Sequence, residues 1–200
     1  MALPRLYGDH NSRANRCLWT LYELGQPFEH VPMASGVGTK DAAFLAINPW
    51  GKIPTWVEDD WVLSESLAIN LHLARRTALW PKPPQDRARA MQWTMWAATE
   101  AEPNFFAVAR HRVLRPPERR EERVAIEGEQ ALRPRLMYLD LHLRGRDFLL
   151  GDRFTVADIN VAGVFSLLRA SRIDLAPFPS FDGWLARLEA RPTYAKAHGR

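Results

Sequence analysis

The chain has 200 residues, 46% apolar and 25% charged, the composition of an ordinary soluble globular protein with room for one large domain or two small ones. The formal charge of +4 is modest, and its arginines interleave with glutamates, as in Glu118-Arg119-Arg120-Glu121-Glu122-Arg123. That is the pattern of a solvated helix face, so nucleic-acid binding is not expected, while a weak positive field suits small anionic ligands. Cys17 is the only cysteine, which excludes an internal disulfide and fits a reducing compartment. No stretch approaches the roughly 18 apolar residues of a membrane span, and Met1-Ala2-Leu3-Pro4-Arg5 has neither a long apolar run nor a small-residue cleavage site, so no signal peptide is expected. A cytoplasmic protein with no membrane partner is expected.

Residues 5–7 read as a short strand, and Gly8-Asp9-His10-Asn11 as a turn. Ala14, Cys17, Leu18 and Leu21 then recur at i, i+3, i+4 and i+7, one apolar face of a helix that Gly25 would close. Phe28-Glu29-His30-Val31 alternates like a second strand. Strand, helix, strand in this order suggests a parallel crossover. After a Gly36-Val37-Gly38 loop comes a short helix around Asp41–Ala46. Thr55-Trp56-Val57 and Trp61-Val62-Leu63 flank a hairpin turn at 58–60. A helix runs from Ser64 through Leu67, Leu71 and Ala74. Trp80-Pro81-Lys82-Pro83-Pro84 cannot continue it.

The spacing thus predicts an α/β domain over 1–79, a linker over 80–85 and an all-helical domain over 86–200. Within the latter, one helix starts near Asp86 with Met91, Met95 and Ala98 on one face. Another covers roughly 118–143, kinked or split at Pro134. A third begins at Thr155, where Thr155-Val156-Ala157-Asp158 reads as a capping box. A fourth spans about 181–190.

Three constellations carry chemistry. Asn11-Ser12-Arg13-Ala14-Asn15-Arg16 lies at the first strand-to-helix junction. A serine there caps the helix, and its hydroxyl sits beside free N–H groups and the positive end of the helix dipole. That environment stabilises an anion such as a thiolate. In Asn48-Pro49-Trp50-Gly51-Lys52-Ile53-Pro54, a proline opening a strand after a tight turn suits a cis peptide. Such a bond would expose the Ile53 backbone to an extended peptide ligand. In Leu63-Ser64-Glu65-Ser66, a hydroxyl and free N–H groups at a helix start suit a carboxylate, and Glu65 suits an ammonium. Taken singly, each also reads as a plain cap or loop.

Together they resemble the glutathione transferase family. Leu6-Tyr7, Ser12, Leu21 and Glu23-Leu24-Gly25 match its first strand and helix. Asn48-Pro49, Gly51-Lys52-Ile53-Pro54 and Leu63-Ser64-Glu65-Ser66 followed by Ala68-Ile69 match its next two motifs. Leu149 and Gly151-Asp152-Arg153-Phe154-Thr155-Val156-Ala157-Asp158-Ile159 match an element of its helical domain. The resemblance implies a thioredoxin-like N-terminal domain that binds glutathione, plus an all-α C-terminal domain. It also implies a cytosolic homodimer of the serine-type, bacterial-like class, with glutathione as cosubstrate.

By the same resemblance Ser12 would activate the thiol, with Tyr7, where tyrosine-type classes keep their catalytic residue, as the alternative. Ile53 and Pro54 would meet the cysteinyl backbone. Glu65 and Ser66 would hold the γ-glutamyl end, and Lys52 and Lys40 would neutralise the glycine carboxylate. Phe106 and Arg110, four residues apart, are the candidates for an electrophile pocket, although Trp93, Trp96, Phe105 and Phe106 also read as helical core. The reaction would be conjugation of a small electrophile, or reduction of a peroxide.

The rival readings are a silent binding module on the same fold and a glutathione-dependent thiol oxidoreductase. The latter wants a cysteine at position 12. Cys17 reads as packed inside the first helix. Asn15 and Arg16 depart from the isomerase-class pattern, which discounts that activity. The six histidines lack metal-ligand spacing, so no metal site is expected. His10 reads as a solvent-facing turn residue.

Overall fold

The computed structural model describes residues 2–200. The chain runs through β1 (Arg5–Tyr7), α1 (Ala14–Leu24), β2 (Glu29–Val31), α2 (Ala42–Ile47), β3 (Thr55–Glu58), β4 (Trp61–Ser64) and α3 (Ser66–Ala74). It continues through α4 (Pro84–Trp96), α5 (Glu102–Ala109), α6 (Glu122–Leu143), α7 (Val156–Val164), α8 (Pro179–Glu189) and α9 (Pro192–Ala197). π-Helical stretches at Ala97–Ala101 and Arg110–Leu114 flank α5. Two compact units result. One comprises residues up to Trp80 together with Glu189–Arg200, the other Pro81–Leu188. Among the described residues no helix is long and apolar enough to cross a membrane.

In the first unit the sheet order is β2-β1-β3-β4. β1 pairs parallel with β2 (Leu6 opposite His30) and antiparallel with β3 (Leu6 opposite Trp56). A parallel pair needs a crossover, which α1 supplies. The predicted face of α1, Ala14, Cys17, Leu18 and Leu21, is buried throughout. Gly25 ends the helix at φ 62°, its N–H reaching the Tyr22 carbonyl, a conformation glycine adopts without a Cβ penalty. Tyr7 alternates to the sheet face opposite Leu6 and packs with Val57 and with Phe44 of α2, ring centroids 5.5 Å apart.

The sequence assigns everything after the linker to the helical domain, but α9 packs on α1 in the first unit. Trp19 meets Tyr194 edge-on at 5.0 Å. The Glu23 carboxylate accepts from Arg191 Nε at 2.6 Å, from Arg191 Nη2 at 2.7 Å, from Trp19 Nε1 at 3.0 Å and from the Thr193 hydroxyl. Burial pushes this carboxyl up, yet the donors around it outweigh burial and hold it below the ordinary glutamate range.

In the second unit α4 begins at Pro84, two residues before the predicted start, because proline fits the first helical turn where an N–H has no partner anyway. Its packed residues are Ala90, Trp93 and Thr94, continued by Ala97 and Ala101. Met91 and Met95, the expected apolar stripe, are 46% and 56% exposed. α5 lies along α6, where Gly128 permits the approach. A Cβ there would come within 3.0 Å of the Asn104 carbonyl and the Ala107 Cβ.

Pro134 neither splits nor ends α6, which stays one helix of 22 residues. Both Pro134 and Gln130 are exposed, so the carbonyl that the proline leaves unpaired faces water. The capping box at α7 forms as expected. Thr155 Oγ1 accepts from the Ala157 N–H, and Asp158 Oδ2 accepts from the Thr155 N–H at 2.9 Å. Asp158 is fully buried, and its other oxygen accepts from the Leu149 N–H at 2.8 Å and from Trp184 Nε1 at 3.1 Å.

Candidate functional site

The turn between β1 and α1 is built around Gly8. It sits at φ 133°, with its N–H on the Val31 carbonyl at 3.1 Å. A Cβ at Gly8 would lie 2.6 Å from the Ala14 Cβ, 3.4 Å from the Ile53 Cβ and 3.5 Å from Ser12 Oγ. Ser12 and Ile53, from the first and second sequence constellations, therefore converge on the same glycine. The positive φ and the 2.6 Å approach to the Ala14 Cβ are what exclude a side chain at this glycine.

Ser12 is half-buried. Its hydroxyl accepts from the Ala14 N–H at 3.2 Å and donates to the Asp9 carbonyl at 2.9 Å, while its own carbonyl accepts from the Asn15 N–H at 3.0 Å. α1 itself starts at Ala14, and Arg13 at its N-cap makes no side-chain cap. Ser12 thus serves the helix start from one residue further out than a standard cap.

A hydroxyl has one proton to donate. To reach a sulfur, that proton must swing away from the Asp9 carbonyl while the oxygen keeps its bond from Ala14. An ordinary hydrogen bond worth about 1 kcal/mol is then exchanged for a charge-assisted one of about 1.5–3 kcal/mol. Were a thiol bound there, the difference would lower its pKa by roughly one. The adjoining N-terminus of α1 acts in the same direction.

Tyr7 is the weaker candidate. It is buried in the cluster with Phe44 and Val57, with Val31, Met33, Ile47 and Ile53 packed against it. The Ile53–Pro54 peptide is cis, as the turn sequence suggests. Asn48 braces that turn. Its amide donates to the Lys52 carbonyl and to Thr55 Oγ1, each at 2.9 Å, and Thr55 Oγ1 also donates to the Lys52 carbonyl. Gly51, at φ 58°, lies so close to the loop before α2 that an added Cβ would meet Lys40 Nζ at 3.0 Å. The exposed Lys40 and Lys52, on either side of α2 in the sequence, thereby stand at one turn.

The third constellation reaches the same unit through α1: Cys17 Sγ donates to the Ser66 carbonyl at 3.4 Å. Ser66 is buried and opens α3, which starts two residues later than predicted. Glu65 precedes it, exposed, with φ 71° and ψ 107° and no side-chain cap. A non-glycine residue held there costs about 1–3 kcal/mol, a cost typical of ligand-binding positions and unnecessary for a simple cap. Sequence alone gives no sign of it, since glutamate does not favour positive φ. Cys17 has no exposed surface, and burial raises its thiol far above the ordinary cysteine range, so it is no nucleophile.

Two further residues brace the Ser12 loop and carry no motif that would reveal them. His30 Nε2 donates to the Gly8 carbonyl at 2.7 Å, and His10 Nδ1 donates to the Ala197 carbonyl at 2.9 Å. His10 is therefore part-buried rather than a free turn residue. Phe106 and Arg110 belong to the second unit, in α5 and the π-helical stretch after it, and both are exposed. Trp93 and Phe105 are core, as the alternative reading of that aromatic group held.

A βαβαββα unit with a hydroxyl at the start of its first helix, followed by a helical unit, defines a thioredoxin-like domain joined to an all-α domain. The "Glutathione S-transferase, N-terminal domain" family model matches residues 6–83, and the "Glutathione S-transferase, C-terminal domain" model matches residues 103–192. The chain belongs to the glutathione S-transferase family. It is 31% identical over 198 residues to glutathione S-transferase GstB of Escherichia coli K12, covering 96% of this chain and 95% of that one. It is 33% identical over 211 residues to glutathione S-transferase 3 of Zea mays, covering 98% and 93%. A theta-class glutathione S-transferase from the citrus canker pathogen Xanthomonas axonopodis pv. citri, solved with glutathione bound, superimposes with a TM-score of 0.91 at 26% identity, covering 100% and 99%.

Proposed function

We propose that the protein is a glutathione transferase that ionises the glutathione thiol with Ser12 and directs the thiolate at a small electrophile. The observation that carries this reading is the meeting of Ser12 and Ile53 on Gly8 at the start of α1. A peptide paired to the Ile53 backbone would present its cysteinyl sulfur to the Ser12 hydroxyl. Glu65 and Ser66 would take the γ-glutamyl end, and Lys40 and Lys52 the glycine carboxylate. The sulfur attacks the electrophilic carbon, forms a thioether and expels the leaving group, or adds across an activated double bond. Proximity and thiol ionisation supply the rate enhancement.

Phe106 and Arg110 would contact the electrophile, and the protein would work as a cytoplasmic homodimer, as expected for the family. A glutathione-dependent thiol oxidoreductase is disfavoured because the one cysteine is inaccessible.

The test is the pH dependence of the ultraviolet thiolate absorbance with glutathione bound, joined to turnover with a panel of electrophiles. Ser12→Ala should raise the apparent thiol pKa by about one and cut turnover most at low pH. Tyr7→Phe should leave that pKa nearly unchanged. The opposite pattern would transfer the role to Tyr7, and wild-type binding of glutathione without turnover of any electrophile would favour the silent module.

A further inference from the structure

We propose that His30 and His10 are positioning residues for the Ser12 loop, setting where the thiol-activating hydroxyl stands without touching glutathione. The proposal rests on the reading of Ser12 given above. The loop has two arms, and each histidine holds one. On the β1 side, His30 Nε2 donates to the Gly8 carbonyl at 2.7 Å, and the next residue of β2, Val31, takes the Gly8 N–H at 3.1 Å. Both backbone groups of Gly8 are therefore fixed from the neighbouring strand. Gly8 is the residue against which Ser12 Oγ and the Ile53 Cβ lie, so a shift of Gly8 displaces the hydroxyl relative to the peptide-pairing edge.

On the far side of the turn, His10 Nδ1 donates to the Ala197 carbonyl at 2.9 Å, anchoring the loop to the end of α9. A Cβ on Gly199 would lie 3.7 Å from the His10 ring, in ordinary van der Waals contact, so the chain end passes beside that ring. The two rings meet edge-on, centroids 5.4 Å apart, which couples the arms. Carbonyl oxygens only accept, so the geometry fixes the tautomers: Nε2–H on His30 and Nδ1–H on His10. Displacement matters because a hydroxyl–sulfur bond weakens steeply with misalignment.

The geometry also dictates which amide replaces each ring. The glutamine amide nitrogen reaches about where Nε2 does, and the asparagine nitrogen about where Nδ1 does. His30→Gln and His10→Asn should therefore keep the brace, whereas His30→Asn and His10→Gln should lose it. The readouts are the pKa of bound glutathione's thiol and the split between kcat and glutathione KM, measured on the full chain. Loss of either brace should raise the thiol pKa by about 0.5–1, cutting the thiolate fraction, and kcat below that pKa, roughly three- to tenfold. Glutathione KM should stay within about twofold, since the ligand's charged ends are held elsewhere. Asp158→Asn, in the other unit, serves as the destabilised control and should leave the thiol pKa unchanged.

If Ser12→Ala raises the pKa but His30→Asn and His10→Gln do not, the positioning role is overturned and the Ser12 reading survives. If Ser12→Ala has no effect, both fall. If the paired amides fail to rescue, the hydrogen bonds are not the cause and the proposal is overturned. Should a variant not fold, nitrogen-15 spectra of the wild-type imidazoles decide, because a folded His30 in the Nδ1–H form or His10 in the Nε2–H form would refute the bracing bonds.

Discussion

Replacing Asp158 by alanine should be among the most damaging single changes in the helical unit. The carboxylate accepts from two backbone N–H groups, those of Leu149 and Thr155, from the Trp184 indole and from the Thr155 hydroxyl. The residue has no exposed surface. A standard N-cap loss costs about 1 kcal/mol. Here each donor left unpaired in the interior adds about 1–3 kcal/mol, reduced where water enters the vacated space or the hydroxyl finds another acceptor. A loss of about 4 kcal/mol follows, which for a chain of this size lowers the melting temperature by roughly 8–16 °C.

Urea unfolding followed by tryptophan fluorescence would measure it. A loss under about 1.5 kcal/mol would mean that the carboxylate is only a cap. Acid titration adds a sign. Burial pushes the Asp158 carboxyl up to about 6, against the pull of its four donors. The folded state then holds more protons than the unfolded state between about pH 4 and 6, so this group's contribution rises as pH falls through that window. The stability gap between wild type and Asp158→Asn should widen from pH 7 toward pH 4. A narrowing gap would show that the donors outweigh burial.

Glu23→Gln should behave in the opposite sense. The Glu23 carboxyl is held below its ordinary range, so its contribution, about 2–3 kcal/mol, is present above the unfolded pKa and fades as pH falls through the folded one. Denaturation at pH 7 and pH 3.5 should show the gap closing at the lower value, and a constant gap would refute the ion pair with Arg191. Gly8→Ala puts a Cβ 2.6 Å from that of Ala14 at φ 133°, so it should cost about 2–4 kcal/mol and raise the pKa of bound thiol. Thermal unfolding and thiolate titration check both effects, and an unperturbed thiol would separate Gly8 from the site.

What the sequence reveals is what local chemistry dictates. The face of α1, the Gly25 stop, the 55–64 hairpin and the Thr155–Asp158 box are all contained in windows of a few residues, and the structure has them. What it hides depends on distant partners. Met91 and Met95 have helical spacing, but Ala90, Trp93 and Thr94 on the adjoining face do the packing, and apolar periodicity cannot say which face meets a neighbour. Pro134 looks like a break until its exposed position lets water satisfy the carbonyl that it leaves unpaired.

The candidate site divides the same way. Ser12, Ile53 and Ser66 lie in readable motifs, and the structure gathers them around Gly8 and Cys17. The backbone of Glu65 and the braces from His30 and His10 are invisible in sequence because they arise from tertiary geometry alone.

The docking of α9 on α1 has a consequence for how the protein is made. Arg191 and Glu23 are 168 residues apart, and all of Pro81–Leu188 must be synthesised between the two parts of the first unit. At translation rates of about 5–20 residues per second, that interval lasts roughly 5–20 s. Throughout it the nascent sheet and α1 wait with Trp19 lacking Tyr194 and with the His10 arm of the loop lacking its anchor. The first unit to emerge from the ribosome is thus the last to be completed, and the helical unit can finish folding before it.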